Sequence, residues 1–283
     1  MDGPIPVALP DGLTLHHLPG SAQRYSGAEL RNLKHAVDWF PKEHPTMPAI
    51  VSDGHDHANA CGFCHLPTGN GRPENSALAG LPADYIKRQV AAFADGSRQS
   101  ATTHTLPVQL MAATARGITP GEIEQAAEYF SKLRYISYVT VVEKAEAAFT
   151  PGLFIYVLRP GTKSRIGDRI IEAPLDLQRF EQRDPHVRFV AYVPPGSIAA
   201  GRELVAKGGP SGQPCATCHG HGLRGGIAPP LAGRPPTVIA RQLAAFHEGT
   251  RESPEAAAMR AIAAPLDVKM IIAIAADVAS MRP

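Results

Sequence analysis

The chain has 283 residues, of which 44% are hydrophobic and 19% are charged, a composition that is typical of a folded protein and excludes a disordered one. The formal net charge of +2 gives no sign of nucleic-acid binding. The length predicts two domains, and no apolar run is long enough to predict a transmembrane helix.

The N-terminal region, residues 1–46, is predicted to be an extension with one helix. Ser26 and Glu29 have the spacing of a capping box, and Pro41 would end the helix after Phe40. The first residues have neither the basic start nor the apolar stretch of a signal peptide. This leaves open a cytoplasmic protein or a chain from which the signal peptide is missing.

All four cysteines lie in two copies of one motif, C-x-x-C-H. This spacing is typical of covalent haem attachment, because two thiols one helical turn apart can add to the two vinyl groups of a porphyrin and the next His can bind the iron. A zinc site is disfavoured because the two pairs are far apart in the chain and zinc does not require a His after each pair. The predicted cofactors are two covalently bound haem c groups, attached at Cys61, Cys64 and His65 and at Cys215, Cys218 and His219.

Each motif is followed by the same pattern. Residues 78–93 and 231–246 both begin L-A-G and end R-Q-x-A-A-F. In both, apolar residues recur at i, i+4 and i+7, which predicts an amphipathic helix. Arg98 and Arg251 follow at matched positions. They are predicted either to pair with haem propionates or to lie at a solvated helix end.

A further helix ends each repeat. Thr119 and Glu122 form a capping box at the start of the first, and Asp267 is the predicted cap of the second. One methionine precedes each helix at a matched distance, Met111 in the first repeat and Met259 in the second. Because thioether sulfur suits haem iron, these are the predicted distal ligands. His104 is the alternative at the first haem.

Between the repeats, residues 139–196 contain runs of β-branched and aromatic residues that are separated by Gly and Pro. This pattern predicts a small antiparallel sheet or a pair of hairpins. We expect this insertion to pack on the two domains as a structural brace, and a docking element for a partner is the alternative.

The order of C-x-x-C-H, L-A-G, amphipathic helix, Met and final helix resembles class I cytochromes c, in particular the di-haem cytochrome c₄ type. The resemblance implies a mainly α fold with two tandem cytochrome c domains, at residues 47–138 and 197–283, and a small β-rich insertion between them. It implies an electron-transfer protein without catalytic residues. Because c-type haem is attached outside the cytoplasm in this family, it also implies a periplasmic location, with the signal peptide absent from this sequence.

Two departures from the family pattern concern the first domain. In the family, a proline directly before L-A-G usually holds the proximal His through its carbonyl; the second repeat has Pro230 there, but the first has Ala77. We therefore expect weaker support for His65. The second domain also has an opening helix, with Ser197 as N-cap and Gly208 after its last residue, which the first domain lacks at the same distance.

The resemblance implies redox proteins as partners: a quinol-oxidising complex or a dehydrogenase as donor, and an oxidase or another cytochrome as acceptor. The alternatives are a di-haem cytochrome c peroxidase, which needs one haem open to peroxide, and a cytochrome subunit of a dehydrogenase complex. The second domain is the more basic one. A docking face for an acidic partner is therefore hypothesised at Arg224, Arg234, Arg241 and Arg260, and scattered solvated charges are the alternative.

Overall fold

The structure, a computed structural model, describes residues 12–102, 105–152 and 155–283. The α-helices in these residues are α1 (Ala49–Ser52), α2 (Cys61–His65), α3 (Ala83–Ala94), α4 (Leu106–Gly117), α5 (Pro120–Lys132), α6 (Leu177–Glu181), α7 (Ser197–Lys207), α8 (Ala216–His219), α9 (Pro236–His247), α10 (Ala257–Ala263) and α11 (Val268–Ser280). The strands are β1 (Leu15–His16), β2 (Tyr25–Ser26), β3 (Val139–Glu143), β4 (Glu146–Ala147), β5 (Phe149–Pro151), β6 (Tyr156–Leu158), β7 (Ser164–Arg165), β8 (Ile171–Pro174) and β9 (Phe189–Val193).

Two helical cores form, one around each haem motif. In the first half, α3 and α5 bury residues such as Ile86, Ala127 and Phe130. In the second half, α9 and α11 bury Ile239 and Val278 among others. These residues belong to the apolar stripes expected from the sequence, so the prediction of paired amphipathic helices in each repeat is confirmed.

The glycine of each L-A-G sequence makes the same turn in both halves. Gly80 and Gly233 each have φ of 70°, a conformation that glycine adopts without steric cost. The Gly80 amide donates to the Phe130 carbonyl at 3.1 Å, and the Gly233 amide donates to the Val278 carbonyl at 2.9 Å. Each turn therefore ties the loop after the haem motif to the last helix of its half.

The helix predicted in the N-terminal extension is not formed in residues 12–46. The reciprocal bonds between Ser26 and Glu29 are present, but they lead only into a three-residue 3-10 turn, Glu29–Arg31. The apolar side chains that follow do not form a helical stripe. Instead Val37 and Trp39 pack with Leu18 and Leu30 in a separate small cluster, so tertiary packing overrides the local capping signal.

The opening helices of the two halves differ. In the second half α7 is followed by Gly208 with φ of 82°, as expected for a glycine after the last helical residue. Ser197 is its first helical residue rather than its N-cap, which is Gly196. In the first half, α1 has only four residues.

The insertion contains a three-stranded sheet in the order β3-β9-β8. Strands β8 and β9 are antiparallel, but β3 and β9 are parallel, so the predicted antiparallel sheet is wrong for this pair. The antiparallel pairs β4-β7 and β5-β6 agree with the alternative prediction of two hairpins. The parallel pair arises because the chain enters the insertion on β3, returns through short hairpins and α6, and leaves on β9 in the same direction. Leu153 and Phe154, which begin one of the apolar and aromatic runs of residues 139–196, lie outside the described residues.

Candidate haem sites

The first C-x-x-C-H motif folds as the short helix α2, which spans Cys61 to His65. His65 is within hydrogen-bond distance of the Ser76 carbonyl, with 2.8 Å between Nδ1 and the oxygen. A carbonyl can only accept, so Nδ1 carries the proton and the Nε2 lone pair is free to bind a metal. Burial lowers the pKa of His65, which keeps the ring neutral, as a metal ligand requires.

The second motif repeats this geometry. Cys215 directly precedes α8, and His219 at the end of α8 is buried. Its Nδ1 lies 2.8 Å from the Pro229 carbonyl oxygen, and burial lowers its pKa as well. Both histidines are thus held in the tautomer that leaves Nε2 available.

These distances correct the expectation about proline. The carbonyl that holds each histidine belongs to the residue two positions before L-A-G, which is Ser76 in the first half and Pro229 in the second. Ala77 and Pro230 do not make this bond. Because the main chain supplies the acceptor and both distances are 2.8 Å, the absence of proline does not weaken the support of His65.

A cavity of about 240 Å³ adjoins the first motif. Both thiols and the imidazole line it, and so does Met111 from α4. Most of the remaining lining side chains are apolar, including Ile86 and Phe130. Two thiols, a neutral imidazole with a free Nε2 and a thioether around an apolar cavity fit a covalently attached haem.

The second half places its predicted ligands around its own core. Met259 lies in α10, is partly buried and packs with Cys215 against that core. His104, the alternative ligand of the first haem, lies outside the described residues. No disulfide links any of the four cysteines, all of which lie in the described part of the chain.

Arg98 and Arg251 meet where the two halves join, and neither ends its helix in solvent. Both guanidinium groups donate to the side-chain oxygens of two glutamines, Gln89 of α3 and Gln242 of α9, at 2.6–3.0 Å. Each arginine therefore bonds to one glutamine of its own half and one of the other. Burial and the neighbouring Arg251 lower the pKa of Arg98 to about 9. Arg98 and both glutamines also line the cavity.

Sequence reasoning missed the two glutamines as interface residues. They occupy the same position in the repeated R-Q-x-A-A-F sequence, which was the available signal.

The role of Arg234 was also missed from the sequence. Arg234 is 6% exposed and donates to the carbonyls of Ala77 and Ala79 in the first half at 2.9 and 3.0 Å. Arg241 likewise donates to the Pro73 carbonyl. Arg234 is buried between the halves, so the hypothesis that it lies on a docking face is wrong, whereas Arg241 contacts the first half but stays exposed.

Within the described residues, no helix has the length and hydrophobicity needed to cross a membrane. The same residues contain no group of three or more His, Cys, Asp or Glu side chains placed to hold a metal ion.

No protein-family model matches the chain. It is 33% identical over 89 residues to the thiosulfate dehydrogenase electron acceptor of Thiomonas intermedia, a match that covers 31% of this chain and 37% of that protein. The structure of a thiosulfate dehydrogenase (TsdBA) from Marichromatium purpuratum is similar with a TM-score of 0.53 and 25% identity, over 79% of this chain and 37% of that one. Each of these two matches thus spans little more than a third of the other protein.

Two cytochrome c₄ structures also match. The cytochrome c₄ of Pseudomonas stutzeri has a TM-score of 0.49 and 21% identity, and the match covers 78% of this chain and 93% of that one. The cytochrome c₄ of Acidithiobacillus ferrooxidans has a TM-score of 0.49 and 22% identity, and the match covers 78% of this chain and 98% of that one. Two haem-attachment motifs of the same geometry, two repeated helical cores and the likeness to an electron-acceptor protein lead to one conclusion. The chain is similar to the di-haem c-type cytochromes, which transfer electrons, and its cofactors are two covalently bound haem c groups.

Proposed function

We propose that this chain is a periplasmic electron carrier that accepts single electrons from a dehydrogenase and passes them to an oxidase or another cytochrome. One observation carries the proposal: a residue that supports the second motif also lines the cavity beside the first. Pro229, whose carbonyl holds His219, also lines the cavity that contains His65. A contact this close between two redox sites favours transfer of an electron from one to the other inside the chain.

The same types of side chain are available to bind haem at both sites. His65 and His219 present a neutral imidazole, and Met111 and Met259 are the proposed distal ligands. Arg98 and Arg251 are proposed to pair with the propionates, because their hydrogen bonds to the two glutamines go to neutral amide oxygens and no carboxylate among the described residues pairs with them. When bound, each haem would supply a one-electron couple, and Met111 and Met259 would hold its iron through their sulfur atoms.

The donor that we propose is a dehydrogenase that oxidises a sulfur oxyanion such as thiosulfate. The supporting observation is the 33% identity to a thiosulfate dehydrogenase electron acceptor. A cytochrome unit within a dehydrogenase complex is the second candidate, because the structural match to a thiosulfate dehydrogenase covers most of this chain but only 37% of that one.

The test mixes the oxidised holoprotein with a purified thiosulfate dehydrogenase and follows the α-band absorbance of the haems. We expect thiosulfate to reduce both haems when the dehydrogenase is present and neither haem when it is absent. Reduction by thiosulfate alone would show that the chain is itself a dehydrogenase, and no reduction with the enzyme would exclude this donor. A stable complex of the two proteins on size-exclusion chromatography would favour the second candidate.

A further inference from the structure

The surfaces around the two haem motifs differ in exposure. In the first motif, the residues between the cysteines, Gly62 and Phe63, are both buried. Their counterparts in the second motif, Ala216 and Thr217, are both exposed. The loops that follow show the same contrast, since Pro67 is buried and its counterpart His221 is exposed.

The insertion covers the first motif. Arg183 donates to the Phe63 carbonyl at 2.7 Å and to the Leu30 carbonyl at 3.0 Å, and its guanidinium lies 3.5 Å from the centroid of the Phe63 ring. Arg183 has φ of 59°, a conformation that is unfavourable for a side chain of this size and is held by these contacts. The indole of Trp39 in the extension donates to the Gln182 carbonyl at 2.7 Å. The extension and the insertion are therefore locked together over the first motif.

The uncovered surface of the second half carries one large apolar side chain and a positive charge. We call Ala216, Thr217, His221, Arg224 and Ile227 the second-motif face. Ile227 is 91% exposed, an unusual position for a large apolar residue in a glycine-rich loop beside a cofactor site. Arg224 is exposed, and the hydrogen bond of its guanidinium within the described residues goes to a backbone carbonyl, that of Arg282, at 3.4 Å.

Negative charge is absent from this part of the sequence. From residue 204 to residue 247 there is no Asp or Glu, whereas the corresponding stretch of the first half contains Asp53, Glu74 and Asp84 among others. Of the other lysines and arginines in the stretch, Arg234 is buried against the first half, Arg241 is exposed but donates to the Pro73 carbonyl of the first half, and Lys207 pairs with Glu203 at 2.6 Å. Among the described residues, Arg224 is thus the cation of this stretch that contacts neither the first half nor a carboxylate.

We propose that the second-motif face is the surface on which a redox partner docks, and that this partner is an acidic protein with an apolar centre to its contact surface. The inference rests on the proposed electron-carrier function and adds where electrons enter and leave. Interfaces of transient complexes combine an apolar centre with a charged rim, and complementary charge mainly accelerates the encounter. Because the first motif is covered by protein, an electron from a partner reaches the first half through the second.

The test uses the hydroquinone of flavodoxin, an acidic flavoprotein, as the reductant in stopped-flow experiments over a salt series. Arg224→Glu and Ile227→Asp alter the second-motif face. Arg88→Glu is the matched control, because Arg88 is exposed on α3 in the first half and the change in net charge is the same. Dithionite reduces each variant without docking and shows whether both haems remain competent.

We expect Arg224→Glu to slow reduction by flavodoxin by about tenfold at low salt, and high salt to remove most of the difference. In Arg224→Glu the absorbance change of both haems on reduction should slow, because both haems receive electrons through the second-motif face. A loss of rate equal to that of Arg88→Glu, or half of the absorbance change continuing at the wild-type rate, would overturn the proposal. Haems that dithionite cannot reduce would instead contradict the electron-carrier function itself.

Discussion

Main-chain atoms support both proximal histidines. The Ser76 and Pro229 carbonyls lie at the same distance from the two imidazoles although their side chains have little in common. The path of the loop determines this bond, and Gly71 and Gly225 fix that path by donating to the carbonyls of His65 and His219 at 3.0 and 2.8 Å. The proximal site is therefore tolerant of the side chain at the supporting position.

The predicted distal ligands are also single residues, one methionine for each haem. We predict that Met259→Ala removes half of the sulfur-to-iron charge-transfer absorbance and lets that haem bind carbon monoxide, because the iron loses a ligand. Met111→Ala should remove the other half. Met270→Leu is the control, since Met270 also packs against the second core but is not a predicted ligand. If His104→Ala opens the first haem and Met111→Ala does not, the first haem has two histidine ligands.

The sequence was sufficient for the attachment residues because covalent chemistry imposes their spacing. It was not sufficient for Arg98 and Arg251. Their matched positions indicated an equivalent role in the two repeats but did not predict which side chains they contact. Their glutamine partners come from different halves, 144 and 162 residues away along the chain. Only the docking of the halves places them there.

At the scale of elements, the crossing of α7 and α11 depends on Gly201. A Cβ atom at this position would lie 1.9 Å from the Ala273 carbonyl oxygen and 2.9 Å from Cβ of Asp277. Only a glycine allows the two helices to approach so closely. In the first half the corresponding pair, α1 and α5, is smaller: α1 has only four residues, of which Ile50 and Val51 pack in one core with Ala127 of α5.

We predict that Gly201→Ala lowers the free energy of unfolding by about 1–3 kcal/mol, because the helices must move apart to accept a methyl group. The control is Gly121→Ala in α5, where a Cβ atom would meet nothing within 4 Å. That substitution should stabilise the protein by roughly 0.5–1 kcal/mol, since alanine is the better helix former. Urea unfolding of the holoproteins measures both. Equal effects of the two substitutions would show that the close approach does not limit packing.

At the scale of the whole molecule, Arg234 connects the two halves. Its guanidinium donates to carbonyls of both halves and lies 4.7 Å from the centroid of the Tyr135 ring. The Tyr135 hydroxyl in turn donates to the Gly233 carbonyl at 2.8 Å. On the insertion, the buried Glu172 accepts a hydrogen bond from the Thr237 hydroxyl of α9, and burial raises the pKa of this carboxyl to about 6.

We predict that Arg234→Leu lowers the free energy of unfolding by about 2–4 kcal/mol, because buried carbonyls of Ala77 and Ala79 lose their charged donor. Arg224→Leu removes the same charge from an exposed position and should change stability by less than about 0.5 kcal/mol. Denaturant unfolding followed by circular dichroism compares the two variants. A cost for Arg234→Leu no larger than that for Arg224→Leu would mean that the contact between the halves does not stabilise the fold.

The sequence by itself determined the features that depend on near neighbours in the chain: two haem motifs, the helices after them, the capping box at Thr119 and the cap at Asp267. These follow from covalent spacing, helical periodicity and local hydrogen bonds. Only the tertiary structure decided that the extension forms a cluster around Trp39, that β3 and β9 are parallel, and that Arg234 and Arg241 contact the first half. The physical reason is the same in each case: the partner that satisfies the residue is distant in sequence, so burial and hydrogen bonding can select the conformation only after the two halves and the insertion have come together.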